Sequence, residues 1–115
     1  MDNNTNVLEF SLAKKVKKIL NKGPEETFIF FDHGVIIIKL KGLLNGTQKE
    51  LIKKKTDFNF ITKKFLEIII NDCVLKEFIE EVEELYKVKV EELTKKIDME
   101  NDICKIVLFY EEAID

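Results

Sequence analysis

An α+β fold is predicted, in the order α-β-β-α(α)-β-β: an antiparallel four-stranded sheet packed against helices. Three observations predict it. Apolar residues recur at helical spacing over 7–21 and again from about 57 to 86. Two pairs of strand-like runs, the apolar 27–31 with 35–40 and the alternating 87–97 with the apolar 103–110, are each joined by a tight turn. Helix separates the pairs rather than alternating with single strands, which points to hairpins in an antiparallel sheet. At 115 residues the chain is expected to form one domain over 7–112, behind a frayed terminus 1–6, and 45% apolar residues can bury a core of that size.

The first helix is expected from Val7 to Asn21, with Leu8, Leu12, Val16 and Ile19 as its stripe and Leu20 beside it. Lys17 and Lys18 lie near its C-terminal end, where cations complement the helix dipole. Gly23 and then Pro24 are expected to stop it. The strands 27–31 and 35–40 flank Asp32-His33-Gly34, a tight turn with Gly34 free to take positive φ. Phe28 and Phe30 fall on one face of this hairpin and Ile29 and Phe31 on the other, so both faces are apolar and cover is expected on both. Gly42 ends the hairpin, and Asn45 with Gln48, or Thr47 with Glu50, offers a capping box for a short second helix.

The long helix carries Ile61, Phe65, Ile68, Leu75, Ile79, Val82 and Tyr86 in steps of four and three, with Asp72 at the one polar position. Residues 58–70 are apolar nearly all round, which implies burial on more than one side. Asn71-Asp72 is the place for a kink or a break. The last hairpin runs from Lys87, with a bulge near Glu91-Glu92 where the alternation slips, through the turn 99–102 to Tyr110. One layer of helices covers one sheet face. The second face, with the over-apolar helix, calls for a homodimer, its candidate seam at Phe60, Ile61, Phe65, Ile68 and Ile69.

Charge narrows the function. Every basic residue is Lys, so bidentate guanidinium reading of phosphates or guanine is not open to this chain, and a net charge of −3 argues against nucleic acid. The charge is segregated: residues 1–64 hold 13 Lys against 7 acids, net +6, and residues 65–115 hold 6 Lys against 15 acids, net −9. Such halves neutralise each other within one fold or complement a partner. The start MDNNTN does not resemble a signal peptide, and no stretch approaches the roughly 18 apolar residues of a membrane span. A cytoplasmic chain with Cys73 and Cys104 reduced and buried is expected.

No catalytic constellation is legible. His33 is the only histidine and sits at a turn tip, Cys73 and Cys104 form no C-x-x-C, and no glycine-rich phosphate loop occurs. The carboxylates Glu80, Glu81, Glu83 and Glu84 read as a solvated helix face. Asp98, Glu100 and Asp102 lack the glycine and closing glutamate of an EF-hand loop. Lys53, Lys54, Lys55, Lys63 and Lys64 read as solvated, with contact to an anionic surface as the sharper alternative. A non-enzyme without cofactor or metal is expected. The alternative is a small ligand-binding or enzymatic domain drawing on His33, Lys22, Asp98 and the acidic helix.

The order Leu12 … Gly23-Pro24, an apolar hairpin, Leu40-x-Gly42-x-Leu44, a polar helix start, and a long helix reaching Val82-Glu83-Glu84-Leu85 resembles a small bacterial family. That family is the MpsC-like component of the sodium-translocating membrane-potential-generating system. The resemblance runs from about Leu12 to Glu111, and Lys96-Ile97-Asp98 matches its late Ile-Asp segment. Its Gly-Arg-Gly-Pro turn falls on Asn21-Lys22-Gly23-Pro24, so the arginine is replaced, and Lys22, Gly23 and Pro24 become a candidate interaction turn. The resemblance implies an accessory subunit of a membrane cation or inorganic-carbon uptake system, peripheral at the inner face of the cell membrane. Membrane-embedded transport subunits would be its partners.

Overall fold

The computed structural model describes residues 5–54 and 58–112, the side chain of Phe58 excepted. Its elements are α1 (Thr5–Leu20), β1 (Glu26–Asp32), β2 (Val35–Lys41), α2 (Gly46–Lys53), α3 (Phe58–Ile68), a π-helical segment (Ile69–Leu75), α4 (Lys76–Tyr86), β3 (Val88–Asp98) and β4 (Ile103–Glu112). All strands pair antiparallel in the order β1-β2-β4-β3. The expected fold class and element order are therefore those of the molecule.

Helix α1 begins at Thr5, two residues before the expected start. Residues 1–4 of the expected frayed terminus lie outside the described residues. Its end is also made differently. Asn21 takes φ 60° and its N–H bonds to the carbonyl of Lys17 at 2.8 Å, so the left-handed cap is Asn21 and not Gly23. Asn tolerates that conformation where most residues do not. The β1–β2 turn is the two residues His33 and Gly34, at φ 36° and 83°, the positive pair of a type I′ hairpin. Asn45 and Gln48 close the capping box of α2 reciprocally at 2.8 and 2.9 Å. The bulge of β3 lies where the alternation slips, between Val90 and Glu92.

One core holds the fold. Leu8, Leu12 and Val16 of α1 meet Ile29, Ile36, Ile38 and Leu40 of the first hairpin, Cys104, Ile106 and Leu108 of β4, and Phe78 and Val82 of α4. Phe31, Tyr86 and Tyr110 close one end as an aromatic cluster, with centroids 4.7 and 6.3 Å from Phe31. Among the described residues, only one face of the sheet is covered. Phe28 and Phe30 are about half exposed on the other. The cover expected on both faces of the hairpin is not supplied by the described part of this single chain.

The long helix departs furthest from expectation. Its single sequence stripe divides at the π segment. Ile61, Phe65 and Ile68 are more than half exposed, while Leu75 and Val82 are buried. A π-helix bonds i to i+5 and winds at roughly 4.4 residues per turn, so seven such residues turn the following face back by about a third of a turn. The burial expected on more than one side of 58–70 is met on one side only, by Thr62, Leu66, Ile69 and Ile70.

Candidate functional site

Two regions concentrate exposed or convergent groups. The first is the sheet end opposite His33, where the 21–25 turn, the 42–45 connection and the 99–102 turn meet. Asp102 organises it from φ 55°. Its carboxylate accepts the N–H of Leu43 at 2.9 Å and of Leu44 at 3.1 Å, and its carbonyl accepts the N–H of Gly42 at 3.0 Å. Lys49 approaches the same carboxylate at 3.8 Å. Gly42 takes φ 82°, and a Cβ there would collide with the side chain of Glu25. Lys22 completes the arrangement by donating to the carbonyls of Gly42 at 2.6 Å and Leu44 at 3.2 Å. Within the candidate turn Lys22, Gly23, Pro24, the lysine ammonium is thus engaged by two carbonyls. A cleft of about 670 Å³ opens beside it, lined among others by Glu25, Lys41, Lys49, Glu50, Lys53 and Asn101.

The second region is α3. Beyond its continuation into the π segment, it packs on α2. Its outward face carries Phe60, Ile61, Phe65 and Ile68, exposed by 54–67%. Lys63 and Lys64 on the same helix are exposed as well. The Lys64 ammonium stands 5.9 Å from the Phe60 ring centre, inside the apolar face rather than at its rim. Of the five residues expected at a dimer seam, four share this face; Ile69 turns inward and is buried. The start of the π segment is held by Lys95 of β3, which donates to the Glu67 carbonyl at 3.1 Å. Burial lowers the Lys95 pKa below its ordinary value, and the Glu67 carboxylate partly offsets that.

The remaining candidates stay apart. His33 is fully exposed at the hairpin tip, its Nδ1 2.8 Å from the Asp32 carboxylate. Asp98 accepts the backbone N–H and side-chain amide of Asn101, and these bonds lower its pKa. Asp98 and Asp102 thus serve different partners. Among the described residues, no group of three His, Cys, Asp or Glu side chains is placed to hold a metal ion. Of the helix acids, Glu81 pairs with Lys15 at 3.5 Å and accepts from Ser11 at 2.8 Å, and Glu83 accepts the N–H of Val90 at 2.8 Å. The solvated face therefore also fastens α4 to α1 and to β3.

The cysteines differ, contrary to the expectation that both are buried. Cys104 is fully buried, and burial pushes its thiol pKa up to about 11; Cys73 is exposed on the π segment. The wider π turn carries residue 73 outward. Ellman's reagent at pH 8 is expected to titrate one thiol per native chain and two in denaturant. Two fast thiols in the native chain would contradict the burial of Cys104.

The arrangement at α3 is not legible in the sequence, because the π segment that rotates it outward has no sequence signal beyond Asn71-Asp72. Among the described residues, no helix is long and apolar enough to cross a membrane. Among known families, the model described as "Na+-translocating membrane potential-generating system (MpsC)" matches residues 6–112, and the chain belongs to this family. Searches of curated proteins and of solved structures return no match.

Proposed function

We propose that this family member is a non-enzymatic accessory or regulatory subunit of a membrane cation or inorganic-carbon uptake system, working through protein–protein contact as a cytoplasmic homodimer at the inner face of the membrane. The observation that carries the reading is the outward face of α3. Four large apolar side chains on one short helix form a patch of the kind that marks an interaction site. The family's name supports the membrane setting.

We assign this face to a membrane-embedded partner rather than to a second copy of the chain. Lys64 lies within the face, and a two-fold contact through α3 would set Lys64 of each copy against the other. An apolar partner surface bearing carboxylates satisfies both the apolar side chains and the exposed Lys63 and Lys64 of the same helix. Tagged chain should recover the membrane-embedded subunits of its system from host membranes, and Ile61→Asp with Phe65→Asp should lose them while thermal stability changes little. Equal recovery by both proteins would remove α3 from the reading, and no recovery by the wild type would remove the reading itself.

The cleft beside Asp102 supports a second reading, a small-ligand site. Its lining mixes Lys41, Lys49 and Lys53 with Glu25 and Glu50. His33 lies at the other end of the sheet, Lys22 is bonded to carbonyls and Asp98 to Asn101, so the groups the sequence nominated do not converge there. A thermal-shift screen of metabolites and metal ions that stays flat would dismiss it.

A further inference from the structure

The uncovered sheet face can be read as a grid. Cross-strand register sets Phe28, Lys39, Lys105 and Lys96 in one row across β1, β2, β4 and β3; Phe30, Ile37, Val107 and Thr94 in the next; and Asp32, Val35, Phe109 and Glu92 in the third. An apolar middle row therefore lies between a row of three lysines and a row with two carboxylates. Among the described residues, none of Lys39, Lys96 and Lys105 has a carboxylate within ion-pair distance. Along β3 the outward residues are Lys89, Glu92, Thr94, Lys96 and Asp98, the bulge having shifted the phase. Reflected about Thr94, each of these outward charges meets its opposite: Lys96 with Glu92, and Asp98 with Lys89.

We infer that a second copy of this chain stacks on this face, with a two-fold axis along the Phe30–Ile37–Val107–Thr94 row. The inference rests on the homodimer proposed above and names its surface and register. In this register each strand lies over its own counterpart running the opposite way, so Lys96 of one copy faces Glu92 of the other. Lys105 faces Phe109 and Lys39 faces Val35, pairs in which a lysine stem covers an apolar side chain. A two-fold axis along the strands would instead set Lys39 against Lys105, and the lysine row opposes that.

Edge pairing is the other route to a dimer, and both edges are guarded. On β1, the Ile29 N–H is taken by Glu9 of α1 at 2.9 Å. On β3, the bulge and the charges of Glu91, Glu92, Lys95 and Lys96 interrupt the edge. The area is modest. Four strands about 4.8 Å apart and about four rows roughly 6.7 Å apart give roughly 500 Å² per copy. That is about 1,000 Å² in total, the floor for a specific interface, so association is concentration-dependent.

Sedimentation of the wild-type chain from about 5 to 200 μM tests this. A monomer–dimer equilibrium is expected. Lys96→Glu alone and Glu92→Lys alone each set like charges opposite one another twice and should weaken the dimer about tenfold. The double exchange Lys96→Glu with Glu92→Lys restores opposite charges across the axis and should recover wild-type affinity. Within one chain these residues stand four positions apart along a strand, so folding alone does not produce that recovery. A dimer indifferent to the single changes, or one not restored by the double exchange, overturns the register. A dimer abolished by Ile61→Asp with Phe65→Asp but untouched by the charge changes moves the seam to α3. A wild-type chain monomeric at about 200 μM overturns the homodimer as well, while leaving recovery of the membrane subunits as a separate result.

Discussion

Phe78→Ala is expected to lower the unfolding free energy by about 3–5 kcal/mol and the melting temperature by roughly 12–20 °C. Among the described residues Phe78 is the largest fully buried side chain, on a helix that lies against both α1 and β3. Removing the ring forfeits its transfer free energy and leaves a hole. The elements around it are tied by the Ser11–Glu81 and Val90–Glu83 hydrogen bonds and cannot fully collapse into that hole. Leu85 on the same helix provides the contrast. It is 53% exposed, and Leu85→Ala should cost well under about 1 kcal/mol. Urea unfolding of the two variants checks the pair, and equal losses would mean that the burial of α4 is wrongly drawn.

Asp102→Ala is expected to cost about 2–4 kcal/mol although residue 102 sits in a turn. Its carboxylate is the acceptor for two backbone N–H groups, and leaving half-buried donors without a partner costs more than the bond itself contributes. Alanine at φ 55° adds backbone strain of about 1 kcal/mol. Three substitutions separate the two causes. Asp102→Asn keeps one acceptor oxygen and a side chain tolerant of that φ, Asp102→Gly removes the carboxylate without adding strain, and Asp102→Ala keeps neither advantage. Stability should fall in the order wild type, Asn, Gly, Ala. Asn no better than Ala would show that the carboxylate does not hold the 42–45 connection.

Wherever the physics is local, the residues alone announce the structure. The tight turn with Gly34 at positive φ follows from Asp32-His33-Gly34, although it closes on two residues and His33 takes positive φ as well; the Asn45–Gln48 box follows from capping chemistry, and the β3 bulge follows from a slip in alternation. The helix cap at Asn21 escapes such a reading because Gly23-Pro24 two residues later is the louder signal, while an αL asparagine bonded to Lys17 is the nearer solution. Cys73 escapes it for a different reason. Its apolar neighbourhood in sequence says burial, and the π turn carries it outward.

The candidate surfaces divide the same way. Residue pattern alone dictates the element order, the hairpin pairing, the lysine-only basicity and the excess of apolar residues over what one helical layer can cover. Where that excess stands is a matter of packing, because periodicity assumes a constant number of residues per turn. Seven π-helical residues, entered where Lys95 reaches across from β3 to the Glu67 carbonyl, break that assumption. They turn Ile61, Phe65 and Ile68 away from the core that Leu75 and Val82 enter. Likewise, alternation along each strand marks two faces, but only the order β1-β2-β4-β3 sets Lys39, Lys105 and Lys96 side by side. Long-range pairing is what makes scattered lysines into a row, and no window of sequence contains it.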